Sequence, residues 1–142
     1  MRIFLGIVLG IVTAFVLQAG TDVIANQIYP ASINDMLDRQ QVTEAFANRP
    51  TGALILAVLG FFLAGVGGGY VARLVSRRGW TVWVPAGLFV LMALALILAY
   101  PLPAWTWFAF VAGPLIGGLL ARHIGADPEP APSPETSSDA NL

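Results

Sequence analysis

The sequence predicts an all-α integral membrane protein: a four-helix bundle built as two tandem helical hairpins, with a short helical outer loop and a disordered C-terminal tail. Three observations predict it. Hydrophobic residues make up 57% of the 142 and charged residues only 11%, where a soluble domain carries about 25% charged residues, so there is too little polarity to cover a water-facing surface. The apolar residues gather in four stretches, each near the roughly 20 residues a helix needs to cross about 30 Å of hydrocarbon. The basic residues, all seven of them arginine, fall mostly in the links on one side of those stretches. Residues 1–124 then form the membrane domain and residues 125–142 the tail.

Span one is taken as residues 3–26. Its apolar run Ile3 to Ala19 follows Arg2, and the helix continues past Asp22 towards Ile28. A secretory signal peptide has a similar start, but Leu17-Gln18-Ala19 is a poor cleavage site, so the segment is expected to be retained. The outer loop that follows offers Ser32 as a cap with Asp35 three residues on, an apolar face of Ile33, Met36 and Leu37, and a further helical turn over Val42–Ala47. Span two, residues 52–72, runs without a charge between Arg49-Pro50 and Arg73. Span three, residues 80–100, carries Pro85 in its first turns, where a missing N–H is tolerated. The stiff link Pro101-Leu102-Pro103 makes it an antiparallel neighbour of span four, residues 104–121. Pro114 lies inside span four and should bend it. The tail alternates Pro128, Pro130, Pro132 and Pro134 with small or acidic residues, which cannot bury enough surface to offset chain entropy.

Arginine placement orients the chain. Arg73, Arg77 and Arg78 sit between spans two and three with no acid, and Arg2 and Arg122 fall on the same side. Both termini should therefore be cytoplasmic. Trp80 and Trp83 would mark the inner interface, and Tyr29, Tyr100, Trp105 and Trp107 the outer one.

The glycine-rich run Gly65-Val66-Gly67-Gly68-Gly69 raises the question of a phosphate cradle. A P-loop needs a lysine, and the chain has none. Gly67 to Ala72 fits G-x-G-x-x-A, but no strand precedes it and no acid follows about 20 residues later. Helix contact explains more. Lipid offers no hydrophobic drive for pairing helices, so small residues four apart bring backbones together. Span one has Gly6, Gly10 and Ala14; span two has Gly60, Ala64, Gly68 and Ala72, with Gly65 and Gly69 beside them; span four has Ala109, Gly113, Gly117 and Ala121. Span three has the weaker pair Ala95 and Ala99. Glycine and alanine are abundant in membrane helices, so chance spacing is the competing account.

Spans two and four both end G-G-x-x-A-R, at Gly68–Arg73 and Gly117–Arg122, and spans one and three both close on Tyr-Pro. This is the mark of two parallel repeats. It would set Arg73 and Arg122 at matching depth. Two readings of Arg73, Arg77, Arg78 and Arg122 stay open: they set topology and snorkel to the interface, or they hold an anionic lipid headgroup. Gln18, Asp22 and Asn26 likewise form either an outer polar vestibule, with Arg39 or Arg49 as partner for Asp22, or the place where the helix leaves the bilayer.

Catalysis finds no support. The single histidine, His123, lies at the rim, Ser76 sits in the arginine-rich turn, and the carboxylates are scattered over loop and tail. Spans two to four hold no ionisable group for proton coupling. No catalytic residue, cofactor, metal or nucleic-acid partner is expected.

Tyr29-Pro30, Pro50-Thr51-Gly52-Ala53, Gly67-Gly68-Gly69, Pro101-Leu102-Pro103-Ala104-Trp105 and Gly117-Gly118 together resemble a group of small four-span bacterial inner-membrane proteins. In that group the fourth motif more often reads Pro-His-Pro, from which Leu102 departs. The resemblance implies the four-span fold and brings no established activity. The expectation is a non-enzymatic accessory or scaffold subunit in the lipid bilayer, partnered by itself or another membrane protein, and by anionic lipid if the second reading of the arginines holds. The alternative is a small facilitator or flippase for a lipid or apolar solute; a cavity lined by Gln18, Asp22, Thr13 or Thr106 would favour it.

Overall fold

A computed structural model describes residues 1–30 and 37–124. The expected cap at Ser32 with Asp35, and the expected tail over residues 125–142, lie outside the described residues. Five α-helices follow in order: α1 (Arg2–Ile28), α2 (Arg39–Ala47), α3 (Thr51–Ser76), α4 (Trp83–Ala99) and α5 (Ala104–Ile124). All but α2 belong to segments long and apolar enough to cross a membrane.

The helix ends follow local chemistry. Asp38 caps α2, its carboxylate accepting from the backbone N–H of Gln40 at 2.9 Å and of Gln41 at 3.4 Å. That cap starts the loop helix at Arg39, ahead of the Val42 expected from its apolar face. Pro50 precedes α3, where its missing N–H costs nothing. Beyond Ala72, α3 runs one turn further and stops at Arg77, which is left-handed at φ 55° and returns its N–H to the Arg73 carbonyl at 2.7 Å. Span three differs from a uniform helix over 80–100. Its first residues form a 3-10 turn, Gly79–Val82, and Pro85 is the third residue of α4, inside the first turn that has no intrahelical acceptor for its N–H. At 17 residues α4 alone is about 25 Å long, and the 3-10 turn adds about 8 Å.

α3 is the central column. α1 packs along one of its faces and α5 along another, while α4 closes against α5 and α3; α1 does not reach α5. The α1–α3 seam is an antiparallel meshing of the two small-residue strips. A Cβ on Gly10 would stand 2.6 Å from the Gly68 carbonyl oxygen, and one on Gly6 would stand 2.8 Å from that of Ala72. Ala14 and Ala64 are fully buried in the same seam. The next strip round α3 faces α5. A Cβ on Gly65 would meet the Pro114 carbonyl oxygen at 2.7 Å, and one on Gly117 the Phe62 carbonyl oxygen at 2.5 Å. Gly69 meets Val82 and Ala121. Between apolar helices of membrane-crossing length, close approach of backbones of this kind is what favours association.

Two sequence expectations are corrected here. Ala95 and Ala99 are exposed; α4 buries Ala86, Phe89, Ala93 and Ile97 instead. On α5, Ala109 is only half-buried, and the buried line runs through Phe110 to Gly113, Gly117 and Ala121. The hairpins are also inequivalent: α4 contacts α3, whereas its counterpart α1 stays clear of α5, so a two-fold relation between them does not hold.

The core is tied by one phenylalanine from each long helix. Phe61 of α3 meets Phe89 of α4 edge-on at 5.5 Å and Phe110 of α5 edge-on at 5.0 Å, and Phe15 of α1 reaches Phe89 at 5.3 Å. Edge-on rings of this kind add about 0.5–1.5 kcal/mol per pair beyond area burial.

Candidate functional site

Between this aromatic tie and α2 the helices part to leave a cavity of about 210 Å³. Its floor is Phe61 and Phe110, and its walls include Leu54 of α3, Met92 of α4 and Leu102 of the proline link. Its polar groups are Gln18 and Asp22 of α1 and Arg49, just before α3. The line Gln18–Asp22–Asn26 is thus divided by the fold: the first two line the cavity, and Asn26 is exposed on the outside of α1. The strip that continues Gly6, Gly10 and Ala14 is Gln18, Thr21 and Ala25, because burial follows α3 round the helix.

Gln18 is held by what α3 lacks. It is only 8% exposed, and its amide rests on Gly60, where a Cβ would stand 2.7 Å from Oε1. Its Nε2 donates to both Asp22 carboxylate oxygens, at 3.2 and 3.3 Å. The reverse orientation of the amide would set a carbonyl against a carboxylate. Among the described residues the buried Oε1 meets no donor. Gly60, expected as a helix-packing residue, therefore seats a polar side chain at the cavity wall.

α2 roofs the cavity. Phe46 stacks on Tyr100 of the opposite hairpin, with centroids 4.2 Å apart and planes at 20°. The Arg49 guanidinium lies 5.4 Å from the Phe46 ring centroid. Arg39, the other expected partner of Asp22, is exposed. Among the described residues no ion pair reaches Asp22, although Arg49 lines the same cavity. Sequence reasoning missed the Phe46–Tyr100 stack, since nothing local links a loop ring to one beyond the next two helices. Tyr29 lies with its ring over Gly52, whose bare backbone makes the room.

Neither threonine expected to mark a pathway does so. Thr13 donates to the Leu9 carbonyl of its own helix at 2.8 Å, and the buried Thr106 donates to the Pro103 carbonyl at 2.6 Å, so both hydroxyls are satisfied by backbone close by in the chain.

At the arginine end the bundle is closed. Val82 and Thr81 are fully buried, and the Ser76 and Thr81 hydroxyls share a hydrogen bond of 2.7 Å. Arg73 and Arg122 meet at this end but differ in burial. Arg73 is buried and donates from Nη1 to the Arg122 carbonyl oxygen, while the side chains of Arg77, Arg78 and Arg122 are exposed. His123 is exposed, its Nδ1 3.0 Å from the Leu119 carbonyl oxygen. Among the described residues no three His, Cys, Asp or Glu side chains gather as metal ligands would.

Comparisons with protein-family models, curated proteins and solved structures find no match. The functional reading therefore rests on the bundle's own geometry.

Proposed function

We propose that the chain is a non-enzymatic protein of a bacterial inner membrane, with cytoplasmic termini, that serves as an accessory or scaffold subunit. The observation that carries this reading is the double seam on α3. Gly10 against Gly68 and Gly65 against Pro114 leave no space for even a methyl group, so α3 holds α1 and α5 in one fixed arrangement. A bundle locked in this way presents a constant outer surface of Leu, Val and Phe side chains to lipid, to a second copy, or to another membrane protein. The exposed Arg77, Arg78 and Arg122 would meet anionic headgroups at the inner face. Affinity purification from native membranes in mild detergent tests the assignment. A reproducible protein companion, or a homo-oligomer, is expected; a solitary monomer counts against it.

The facilitator reading draws on one observation, the cavity lined by Gln18 and Asp22. A solute leaving it towards the arginine end would have to pass the ring contacts of Phe61, Phe89 and Phe110 and then the buried Val82. A one-ended cavity suits binding better than passage. Lipid-scrambling rates in reconstituted vesicles no faster than in protein-free ones are the expected result.

A further inference from the structure

We propose that the cavity binds one phospholipid with a zwitterionic primary-ammonium headgroup, its ammonium on Asp22 and Gln18 and its phosphate on Arg49. The inference rests on the membrane reading of the chain. Three features of the cavity point to this chemistry.

The first is an unpaired couple. Asp22 and Arg49 line one cavity, yet among the described residues they form no ion pair. Charges at the edge of an apolar site need a counter-charge, because leaving either one uncompensated there is costly. The complement of a fixed anion and a fixed cation held apart is a headgroup carrying both signs.

The second is an excess of acceptors. Gln18 Oε1 has no donor, and the Asp22 carboxylate, which can accept about four hydrogen bonds, receives only the Gln18 amide among the described residues. A primary ammonium brings three N–H donors, whereas a quaternary ammonium brings none. The terminal torsion of a glutamine amide is soft, so Oε1 can turn from Gly60 into the cavity; Nε2 then leaves Asp22, and the ammonium between the two acceptors supplies the donor that both need. Arg49, steadied over the Phe46 ring, keeps its guanidinium N–H groups for phosphate.

The third is shape. The polar groups stand towards α2 and the floor is Phe61 and Phe110 near mid-helix, so a headgroup at the interface would send its chain towards the bilayer centre. The volume of about 210 Å³ falls below the roughly 300–1,000 Å³ of sites that enclose a drug-sized ligand. It suits one end of a lipid whose remainder stays in the bilayer.

The test is native mass spectrometry of the detergent-purified chain after equilibration with equal amounts of phosphatidylethanolamine, phosphatidylcholine and phosphatidylglycerol of identical acyl chains. The expected result is retention of one ethanolamine lipid with about tenfold preference over the choline lipid, the effect of one charge-assisted hydrogen bond. Asp22→Asn should bring the ethanolamine-to-choline ratio near one. Arg49→Gln should lower retention of both zwitterionic lipids while leaving their ratio in place. Met92→Trp, which fills the cavity without touching either charge, should expel the lipid while its helical circular-dichroism signal and detergent melt match the parent's, which separates loss of the site from loss of the fold. Retention of the three lipids in the ratio supplied, or an Asp22→Asn chain that keeps its preference, overturns the proposal. A chain found in the aqueous fraction of lysed cells defeats the membrane reading itself, whereas a membrane-integrated chain without headgroup preference defeats this inference alone.

Discussion

Arg73, buried on α3, donates from its guanidinium to the backbone carbonyl of Arg122 in the last turn of α5. The last four carbonyls of a helix have no partner within it, and a cation there also meets the negative end of the helix dipole. Arg73 thus stitches the end of one seam helix to the other. Arg73→Gln is expected to destabilise the bundle by about 1–3 kcal/mol, the range for a buried charge-assisted hydrogen bond. Arg122→Gln should change stability little, because the accepting atom is backbone. Thermal unfolding of the two variants in the same detergent separates them, and equal losses would remove the cap from the account.

Glycines that look alike in sequence should differ in tolerance. Gly117→Ala places a methyl 2.5 Å from the Phe62 carbonyl oxygen and 2.8 Å from the Val66 nitrogen, and overpacking of this kind costs about 1–3 kcal/mol. Gly113→Ala meets its nearest atom at an ordinary 3.5 Å, and Gly87→Ala meets nothing within 4 Å. Both should be neutral or gain about 0.5–1 kcal/mol from the better helix former. Gly68→Leu with Gly117→Leu should disperse the bundle, and a double variant as heat-stable as the parent would remove the seams from the argument.

Arg77 ends α3 in the left-handed region, at φ 55°. An L side chain there costs about 1–2 kcal/mol that glycine escapes. Arg77→Gly should therefore raise the melting temperature, as read in a detergent melt; a drop would show that the Arg77 side chain makes a stabilising contact larger than the backbone cost.

The two phenylalanines Phe89 and Phe108 lie on neighbouring helices with opposite surroundings, at 0% and 81% exposure. Phe89→Ala opens a void in the aromatic tie and should cost about 3 kcal/mol, the lower end for such a deletion, since lipid supplies no hydrophobic term. Phe108→Ala exchanges one lipid-facing group for another and should stay within about 0.5 kcal/mol. Chemical unfolding in mixed micelles measures both.

How far the sequence could be read differs from helix to helix, for physical reasons. The two strips that meet in the α1–α3 seam were legible, though not their pairing, because each repeats every four residues, as Gly6-Gly10-Ala14 and Gly60-Ala64-Gly68-Ala72, and an interval is a local property. On α4 the same rule pointed to Ala95 and Ala99, which face outward. A helix apolar on every side carries no polar stripe to mark its outer face, so the interval alone could not choose between them. Of the polar line, Gln18 and Asp22 reached the cavity, but their separation from Asn26 depended on the path of α1 over α3. The Phe61–Phe89–Phe110 tie left no sequence signal, since phenylalanine is equally at home in lipid and in the core.

Chain composition and spacing alone determined that this protein is helical, that four segments are long and apolar enough to cross a bilayer, and that small residues on α1, α3 and α5 repeat at the interval of close helix contact. Only the tertiary structure decided which faces meet, that Arg73 turns inward to α5, and that Gln18, Asp22 and Arg49 converge on one cavity. The physical reason is range: helix formation and hydropathy are summed over neighbours along the chain, whereas a cavity is the gap left where backbones from every part of the chain come to rest.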